Sequence, residues 1–200
     1  MELRVEHKYL VPERLRARLR ATIRPFVQPD SHATPRPEHD GHLGYTVRSI
    51  YYDTARFAHY FANEEGLSVR SKPRIRAYDT QQPDSLAFLE VKRRNGIVGS
   101  KPRASLPFTQ IPELLATGDA SRLIHASRSH PDAVADVEQF LHRYGRYALR
   151  PVILVVYDRE PYVGTIESSL RITFDCNVRS RAYPAPVSYT HLTLPTKRIV

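Results

Sequence analysis

The fold is decided by the stretch Leu67-Ser68-Val69-Arg70-Ser71-Lys72-Pro73-Arg74-Ile75-Arg76-Ala77-Tyr78. It carries four cations, all on even positions: Arg70, Lys72, Arg74 and Arg76. Successive side chains of a β-strand point to opposite faces, so this pattern places the four charges on one face, about 6.6 Å apart. Like charges aligned in this way repel each other and add no stability to a sheet. The stretch therefore predicts a strand whose charged face binds a polyanion, with an ordinary solvated face as the alternative.

Two further segments repeat this division between a charged face and an apolar face. Glu90 and Lys92 lie on one face of the segment 86–94, opposite its aliphatic residues, and the segment 170–177 alternates likewise, with Arg171 on the charged side. Helices can cover the apolar faces, whereas the charged faces need water or one another. We therefore predict an α+β fold, a closed antiparallel β tunnel with a polar, basic lumen and peripheral helices. In such a lumen Arg would bind phosphate oxygens in bidentate fashion and Lys as a point charge.

The predicted elements alternate strands with short helices. We expect strands over 2–11, 45–53, 67–78, 86–94, 99–108, 149–160 and 170–177, and helices opened by Pro12 and over 54–63, 111–116 and 132–144. The short turns between the central strands favour antiparallel pairing, because a parallel crossover needs a dozen or more residues. Phe57, Tyr60 and Phe61 are expected to pack inward from the second helix. The Pro-rich segment 28–44 is typical of a loop.

Composition limits the class of partner and the cellular location. The length of 200 residues fits one domain, and the formal charge of +9 indicates an anionic partner such as nucleic acid, a membrane surface or polyphosphate. No apolar run approaches the roughly 20 residues that span a bilayer, and residues 1–20 lack the apolar centre of a signal peptide. The single Cys176 excludes an internal disulfide framework. We therefore predict a soluble cytoplasmic protein without a transmembrane segment.

The last segment, residues 187–200, differs from the rest of the chain. It reads Val-Ser-Tyr-Thr-His-Leu-Thr-Leu-Pro-Thr-Lys-Arg-Ile-Val and resembles translated sequencing-adapter sequence. We expect residues 1–186 to form the domain, with its C-terminal elements missing, and the tail to be non-native; an ordinary polar tail is the alternative. Without the two cations Lys197 and Arg198 the formal charge falls from +9 to +7, which is still basic.

Seven short segments form a further pattern along the chain. They are Glu6-His7-Lys8-Tyr9, Ser49-Ile50-Tyr51-Tyr52-Asp53-Thr54, Arg74-Ile75-Arg76-Ala77-Tyr78, Leu89-Glu90-Val91-Lys92, Lys101-Pro102-Arg103, Val156-Tyr157-Asp158-Arg159 and Arg171-Ile172-Thr173-Phe174-Asp175. None is specific alone, but their order and rough spacing resemble the VTC domain, a polyphosphate-polymerase family of the triphosphate tunnel metalloenzyme superfamily. The resemblance covers nearly all of residues 1–179. It implies the closed antiparallel tunnel that the strand alternation predicts independently.

The resemblance also implies an activity, a metal-dependent transfer of the terminal phosphoryl group of ATP to a growing polyphosphate chain with release of ADP. The positions that match the phosphate-gripping residues of the family are Lys8, Arg74, Arg76, Lys92, Lys101, Arg159 and Arg171. Secondary candidates for substrate binding, at the tunnel rim or in structural pairs, are Arg70, Arg48 and Arg103. Such a reaction asks the protein mainly for alignment and charge neutralisation, which cations and a metal supply.

The resemblance further implies a divalent metal cofactor, Mn or Mg. The main metal-binding glutamate of the family is expected on a strand beyond Ala185, where the foreign tail stands. Glu6 and Glu90 are candidate lumen ligands, because hard divalent ions prefer carboxylate oxygens, and pairing with nearby Arg or Lys is the equal alternative. The loop group Glu38-His39-Asp40-Gly41-His42 lacks recognised ligand spacing, which favours a solvated turn.

Two other functions stay open. A tunnel triphosphatase would use the same lumen to hydrolyse triphosphate or a nucleotide, but the Glu-x-Glu-x-Lys pattern that favours it is incomplete in Arg4-Val5-Glu6-His7-Lys8. A non-catalytic polyphosphate or nucleic-acid binding module is the second alternative. Bases need stacking surfaces, and only Tyr78 follows the cations in phase, so no nucleic acid is expected. No P-loop or Rossmann glycine motif appears, so nucleotide binding would depend on side-chain cations.

Overall fold

The computed structural model describes residues 6–36, 41–79, 85–96, 98–100, 103–120 and 133–183. The chain divides into a first unit, residues 1–44 and 160–174, and a second unit, residues 45–159 and 175–200. Three sequence predictions lie outside the described residues: Lys101 as a phosphate ligand, most of the loop group at 38–42, and the tail 187–200.

The elements largely follow the predicted order. In chain order they are α1 (Glu13–Ile23), β1 (Val27–Pro29), β2 (Thr34–Pro35), β3 (Leu43–Asp53), α2 (Ala58–Glu64), β4 (Val69–Tyr78), β5 (Leu86–Asn95), β6 (Val98–Ser100), β7 (Arg103–Pro107), α3 (Ile111–Thr117), α4 (Ala133–Arg146), β8 (Arg150–Gly164) and β9 (Arg171–Ala182). A 3₁₀ turn, Phe108–Gln110, precedes α3. In the described residues no helix is long and apolar enough to span a membrane.

The first unit joins α1 to the ends of several strands. β1 pairs antiparallel with the end of β8, and β2 pairs with the start of β3. Arg20 of α1 forms a bidentate ion pair with buried Glu160, with Nη2 to Oε1 at 2.7 Å and Nε to Oε2 at 3.1 Å. A charge-assisted pair of this geometry fixes the helix against β8. β1 and β2 are short strands within the segment that was predicted as a loop.

The strand predicted over 2–11 is wrong in its described part. Residues 6–11 are exposed and belong to none of the described strands. Alternating polar and apolar residues are compatible with a strand, but a strand is stable only when a partner supplies hydrogen bonds and buries one face. The helix that Pro12 was predicted to open is present, but it begins at Glu13, and Pro12 is its N-cap residue instead of a residue of its first turn.

The second unit is an antiparallel sheet in the order β8, β3, β4, β5, with β6 and β7 both paired to β5 and with β9 paired to β8. Ile50 lies opposite Ile75, and Ile75 lies opposite Leu89, so the apolar residues of successive strands coincide on one face. The pairing of β3 with β4 ends where Tyr51 meets Arg74. Pro73, which has no N–H to donate, therefore falls just beyond this ladder and is tolerated.

Helices α3 and α4 cover the apolar face. Leu114 of α3 and Phe140 of α4 are buried in the same cluster as Tyr52, Leu89 and Leu106 of the sheet. The rings of Tyr52 and Phe140 meet edge to face, with centroids 6.0 Å apart, a favoured geometry for aromatic pairs. The charged residues of the sheet therefore lie on the face opposite to the one that α3 and α4 cover.

One helix differs clearly from its prediction. α2 begins at Ala58, not at Thr54, and Phe57, Tyr60 and Phe61 are 44%, 57% and 51% exposed, so the prediction that they pack inward is wrong. The N-cap residue is Phe57, in a left-handed conformation, φ 55°. The carboxylate of Asp53 accepts hydrogen bonds from the backbone N–H of His59 at 2.9 Å and of Tyr60 at 2.8 Å, which satisfies two free donors in the first turn of the helix.

The α+β class and the antiparallel pairing are confirmed. Among the described strands the pairing forms an open path, in which no pair joins β6 or β7 to β1 or β9. Closure of the sheet into a tunnel therefore stays a prediction.

Candidate functional site

Four adjacent strands of the second unit place one polar side chain each in a single row. In the register of the sheet Tyr51 lies opposite Arg74, Arg74 opposite Glu90, and Glu90 opposite Arg103. Arg76 lies two residues farther along β4, on the same face because side chains alternate. This face is the one that the helices leave uncovered. The period-two cations of the sequence are thus brought together by strand register.

Glu90 is the centre of this group and is completely buried, with 0% of its surface exposed. Its Oε2 lies 2.7 Å from both Nε and Nη2 of Arg74 and 3.8 Å from Nε of Arg76, while its Oε1 lies 3.4 Å from Nε of Arg103. We call Arg74, Arg76, Arg103 and Glu90 the Glu90 cluster. Three guanidinium groups and one carboxylate give these four residues a formal charge of +2.

Neighbouring side chains hold the three guanidinium groups in place. Nη1 of Arg74 donates to the Tyr51 hydroxyl at 3.1 Å, and Nε of Arg76 donates to Oγ of Ser49 at 3.3 Å. The guanidinium of Arg103 stacks on the Phe88 ring at 3.8 Å. Such contacts preorganise the donors, so less side-chain freedom is lost when a ligand binds.

The electrostatics of the cluster favour the charged form of Arg74. Burial alone would lower the pKa of Arg74, but Tyr51 and Glu90 together raise it above its ordinary value. Burial also raises the pKa of Tyr157, against the opposing field of Arg159, Arg76 and Arg74. In the register of the sheet Tyr157 lies opposite Val47 and Arg159 opposite Tyr45, so Arg159 lies on the same face as Tyr51.

Arg159 itself is held by a carboxylate of β9. Its Nε and Nη2 each lie 2.7 Å from an oxygen of Asp175, a bidentate pair, and its guanidinium stacks over Tyr157 at 5.2 Å. Burial by itself lowers the pKa of Arg159, but the Asp175 pair and Tyr157 outweigh it and the pKa is raised. The predicted phosphate ligand Arg159 thus lies on the charged face, already paired with one anion.

Beyond the cluster, the charged face continues along β4 and β5. Lys72 lies directly opposite Lys92, and Arg70 lies directly opposite Arg94. Arg94 was missed as a site residue, although it has the same even parity as Glu90 and Lys92. Arg94 was the last residue of the predicted strand, whereas the observed β5 continues to Asn95 and includes Arg94 in its charged face. Ser49 and Tyr51 were missed as well. Their alternation with Arg48 and Ile50 in β3 places them on one face, which could have indicated them.

The other predicted site residues lie elsewhere. Arg48 is on the helix-covered face, since it alternates with Ser49 and shares parity with Ile50. In the first unit, Nη1 of Arg171 is 3.0 Å from Oδ2 of Asp30. Lys8, also in the first unit, is 79% exposed at its side chain and lies 3.7 Å from Glu6.

The described residues do not fit the divalent metal that the resemblance implies. No group of three His, Cys, Asp or Glu side chains in the described ranges could hold a metal ion. Glu90, a predicted ligand, lies among guanidinium groups that repel a divalent cation, and Glu6, the other, is 60% exposed beside Lys8. The pairing of Glu90 with arginine, left open by the sequence, is what the structure shows.

Comparison with known proteins yields one family. A family model described as the VTC domain matches residues 3–198. No curated protein matches the chain. The match covers nearly the whole chain, including all strands of the Glu90 cluster. The chain therefore belongs to the VTC domain family, which points to a polyphosphate-related function within the tunnel-enzyme superfamily.

Proposed function

We propose that this domain is a polyphosphate polymerase, which transfers the terminal phosphoryl group of ATP to a growing polyphosphate chain. One observation carries the proposal: the Glu90 cluster presents a buried Arg76, a half-buried Arg74 and an exposed Arg103, with two more positive charges than its carboxylate balances. Guanidinium groups in this arrangement match phosphate oxygens, and the low exposure of Arg74 and Arg76 strengthens their interactions relative to water.

The division of labour within the cluster supports this proposal. Arg74 and Arg76 are the less exposed donors, and Arg103 is 40% exposed at its side chain, so the group extends from the buried sheet face towards solvent. Glu90 orients Arg74 through two contacts at 2.7 Å and keeps the guanidinium groups from repelling one another. Donors that are held in place before an anion arrives lose little side-chain freedom when it binds.

The proposed reaction needs no protein nucleophile. A terminal oxygen of the polyphosphate chain attacks the γ-phosphorus of ATP, and the bond from this phosphorus to the β–γ bridging oxygen breaks. ADP leaves with the electron pair, and the chain is longer by one phosphate. The arginines align the two anions and neutralise their charge, which is most of what phosphoryl transfer asks of a protein.

Metal dependence and a closed tunnel are further parts of the proposal. A divalent ion, if bound, would neutralise phosphate charge. Glu90 is engaged by arginine, so the described residues do not supply its ligands. Closure of the sheet would surround the substrate with the charged face and exclude water from it.

The test is to incubate the chain with ATP and manganese and to separate the products on a gel stained for polyphosphate. A ladder of chains, with ADP formed in equal amount to the phosphate incorporated, is expected. Arg74→Ala should abolish it, whereas Arg56→Gln, which removes an exposed cation outside the strands, should not. Release of orthophosphate alone would contradict the proposal in favour of a tunnel triphosphatase. Binding of polyphosphate without turnover would contradict it in favour of a binding module.

A further inference from the structure

Helix α2 turns its aromatic residues to solvent, which is the reverse of an ordinary surface helix. Tyr60, Phe61 and Glu64 share one face, because residues three and four apart are neighbours on a helix, and Phe57 precedes Phe61 by one turn. All four side chains are exposed, and the rings of Tyr60 and Phe61 are in contact, with centroids 5.4 Å apart. A surface helix normally packs its apolar face on the core. We call these four residues the α2 face.

The other side of α2 is held against β4 by polar side chains. Nδ2 of Asn63 donates to the carbonyl oxygen of Ser71 at 3.0 Å, and Nδ1 of His59 lies 3.2 Å from Oγ of Ser71. His59 and Asn63 are four residues apart and therefore lie on the same side of the helix. These directed contacts fix which side of α2 meets the sheet, and so they keep the aromatic side outward.

Both ends of α2 are also fixed by hydrogen bonds. Asp53 accepts the two backbone N–H groups of the first turn. At the other end the N–H of Leu67 donates to the carbonyl oxygen of Ala62 at 3.0 Å, and that of Gly66 to Asn63 at 3.3 Å, with Gly66 left-handed at φ 68°. This is a Schellman motif. A helix of seven residues is marginal alone, so these bonds are what present the α2 face in a defined shape.

The two ends of the α2 face carry opposite charges. Arg56 precedes the helix, and Arg150 donates to the backbone beside it, whereas Glu64 and Glu65 stand at the other end. Arg70 is also at that end, but it is half-buried and bonded to backbone carbonyls, so the exposed charge there is acidic. A surface that is basic at one end and acidic at the other is complementary to a copy of itself related by a two-fold axis.

We propose that the α2 face is a self-association surface, on which two copies of the chain pair through antiparallel α2 helices. Tyr60 and Phe61 lie midway between the charged ends, so the rings of both copies meet at the two-fold axis, and Arg56 of each copy lies against Glu64 and Glu65 of the other. Three half-exposed aromatic side chains supply roughly 300 Å² per copy, less than the roughly 800 Å² per partner of a standard interface. The dimer is therefore weak and forms as the chain concentration rises.

The first test is sedimentation equilibrium of the full chain over a wide range of concentration. The average mass should rise towards twice that of one chain. Tyr60→Ser/Phe61→Ser should weaken the association at least about tenfold, because buried aromatic residues dominate such contacts. The matched control Leu10→Ser/Ile166→Ser removes two exposed apolar side chains of the first unit and should associate as the parent does. A parent that stays monomeric, or a control that loses as much, would overturn the proposal.

An exchange of charge separates the antiparallel pair from general adhesion of aromatic surface. Glu64→Lys/Glu65→Lys makes both ends basic and Arg56→Glu makes both carry acid, so each variant alone should associate more weakly than the parent. Their equimolar mixture should form a heterodimer at least as tight as the parent pair, because every basic end then meets an acidic one. A mixture no tighter than its components would overturn the antiparallel pairing. A parent that remains monomeric but binds vesicles of neutral phospholipid through Tyr60 and Phe61 would overturn the choice of partner.

Discussion

The Glu90 cluster and the opposed cation pairs Lys72–Lys92 and Arg70–Arg94, which we call the basic grid, lie on the same face of the sheet but differ in how their charges are balanced. In the cluster a fully buried carboxylate meets three guanidinium groups, and the cations are fixed by neighbours. In the grid cations face cations and remain largely exposed. Burial makes a charge structural as well as functional, because its partner cannot be removed without leaving an unpaired ion. Exposed charges carry no such requirement, so the grid can be altered without unfolding the domain.

The largest effect should follow from Glu90→Gln, which keeps the shape of the side chain and removes its charge. Arg74 and Arg76 would then lie buried together without a counterion, and breaking a buried pair in this way costs about 3–5 kcal/mol. We expect the free energy of unfolding in urea to fall by about that amount. An unchanged urea midpoint would mean that water or anions already screen the arginines, as they screen the exposed cations of the basic grid. The control is Lys92→Gln, at an exposed position two residues after Glu90 on the same face of β5, and it should change stability little.

Arg74→Met should have the next largest effect on stability and a strong effect on binding. Glu90 loses its two contacts at 2.7 Å but retains Arg76 and Arg103, so we expect a loss of about 2 kcal/mol, less than for Glu90→Gln. Pyrophosphate affinity should fall at least about tenfold, as one charge-assisted donor pair is removed. The more exposed Arg103 is the comparison, since Arg103→Met should cost less stability. Equal costs for both variants would show that burial does not rank the arginines.

The contrast between these two regions also marks what the sequence could reveal. Alternation with period two was enough to predict that Arg74 and Arg76 share a face of one strand and that Glu90 and Lys92 share a face of another, because it depends only on the local geometry of each strand. It could not reveal that Glu90 is buried among arginines. That depends on the register of β4, β5 and β7, which the packing of the whole sheet sets.

The predicted start of helix α2 was wrong because it also depends on structure beyond the apolar pattern. Phe57, Tyr60 and Phe61 were expected inside because the helix was predicted to start at Thr54, but it starts at Ala58, where Asp53 accepts hydrogen bonds from two backbone amides of its first turn. Phe57 takes a left-handed conformation, φ 55°, which no helical periodicity anticipates. The start of this helix depends on the backbone conformation at Phe57, which the pattern of apolar residues does not reveal.

A histidine on α2, away from both charged regions, should govern the response of stability to pH near neutrality. Burial lowers the pKa of His59 below its ordinary value, and Arg143 opposes its protonation further, although Asp53 acts in the opposite sense. The unfolded chain therefore binds the proton more readily, and stability is lost as the pH falls below about 6.5, by at most about 1.4 kcal/mol per pH unit.

The measurement is urea unfolding between pH 8 and pH 5.5, for the parent and for His59→Gln. The variant should lose most of the dependence on pH in this range while pyrophosphate affinity retains the parent's behaviour, since no residue of the Glu90 cluster is altered. A slope that persists in the variant would assign the effect to another group. A slope of opposite sign in the parent would contradict the lowered pKa.

The smallest expected effect is a gain in stability from Lys72→Gln. Lys72 faces Lys92 across β4 and β5, and removing one of two opposed like charges should stabilise the sheet by a few tenths of a kcal/mol, up to about 1. The same variant should bind long-chain polyphosphate more weakly. A substitution that raises stability and lowers affinity indicates that the charge is kept for the ligand. An apolar replacement at this position would confuse the result by adding hydrophobic burial, so the polar Gln is the informative change. Unfolding at high salt supplies the control: screening should remove the difference between parent and variant, and a gain that survives high salt would have to come from packing instead of from charge.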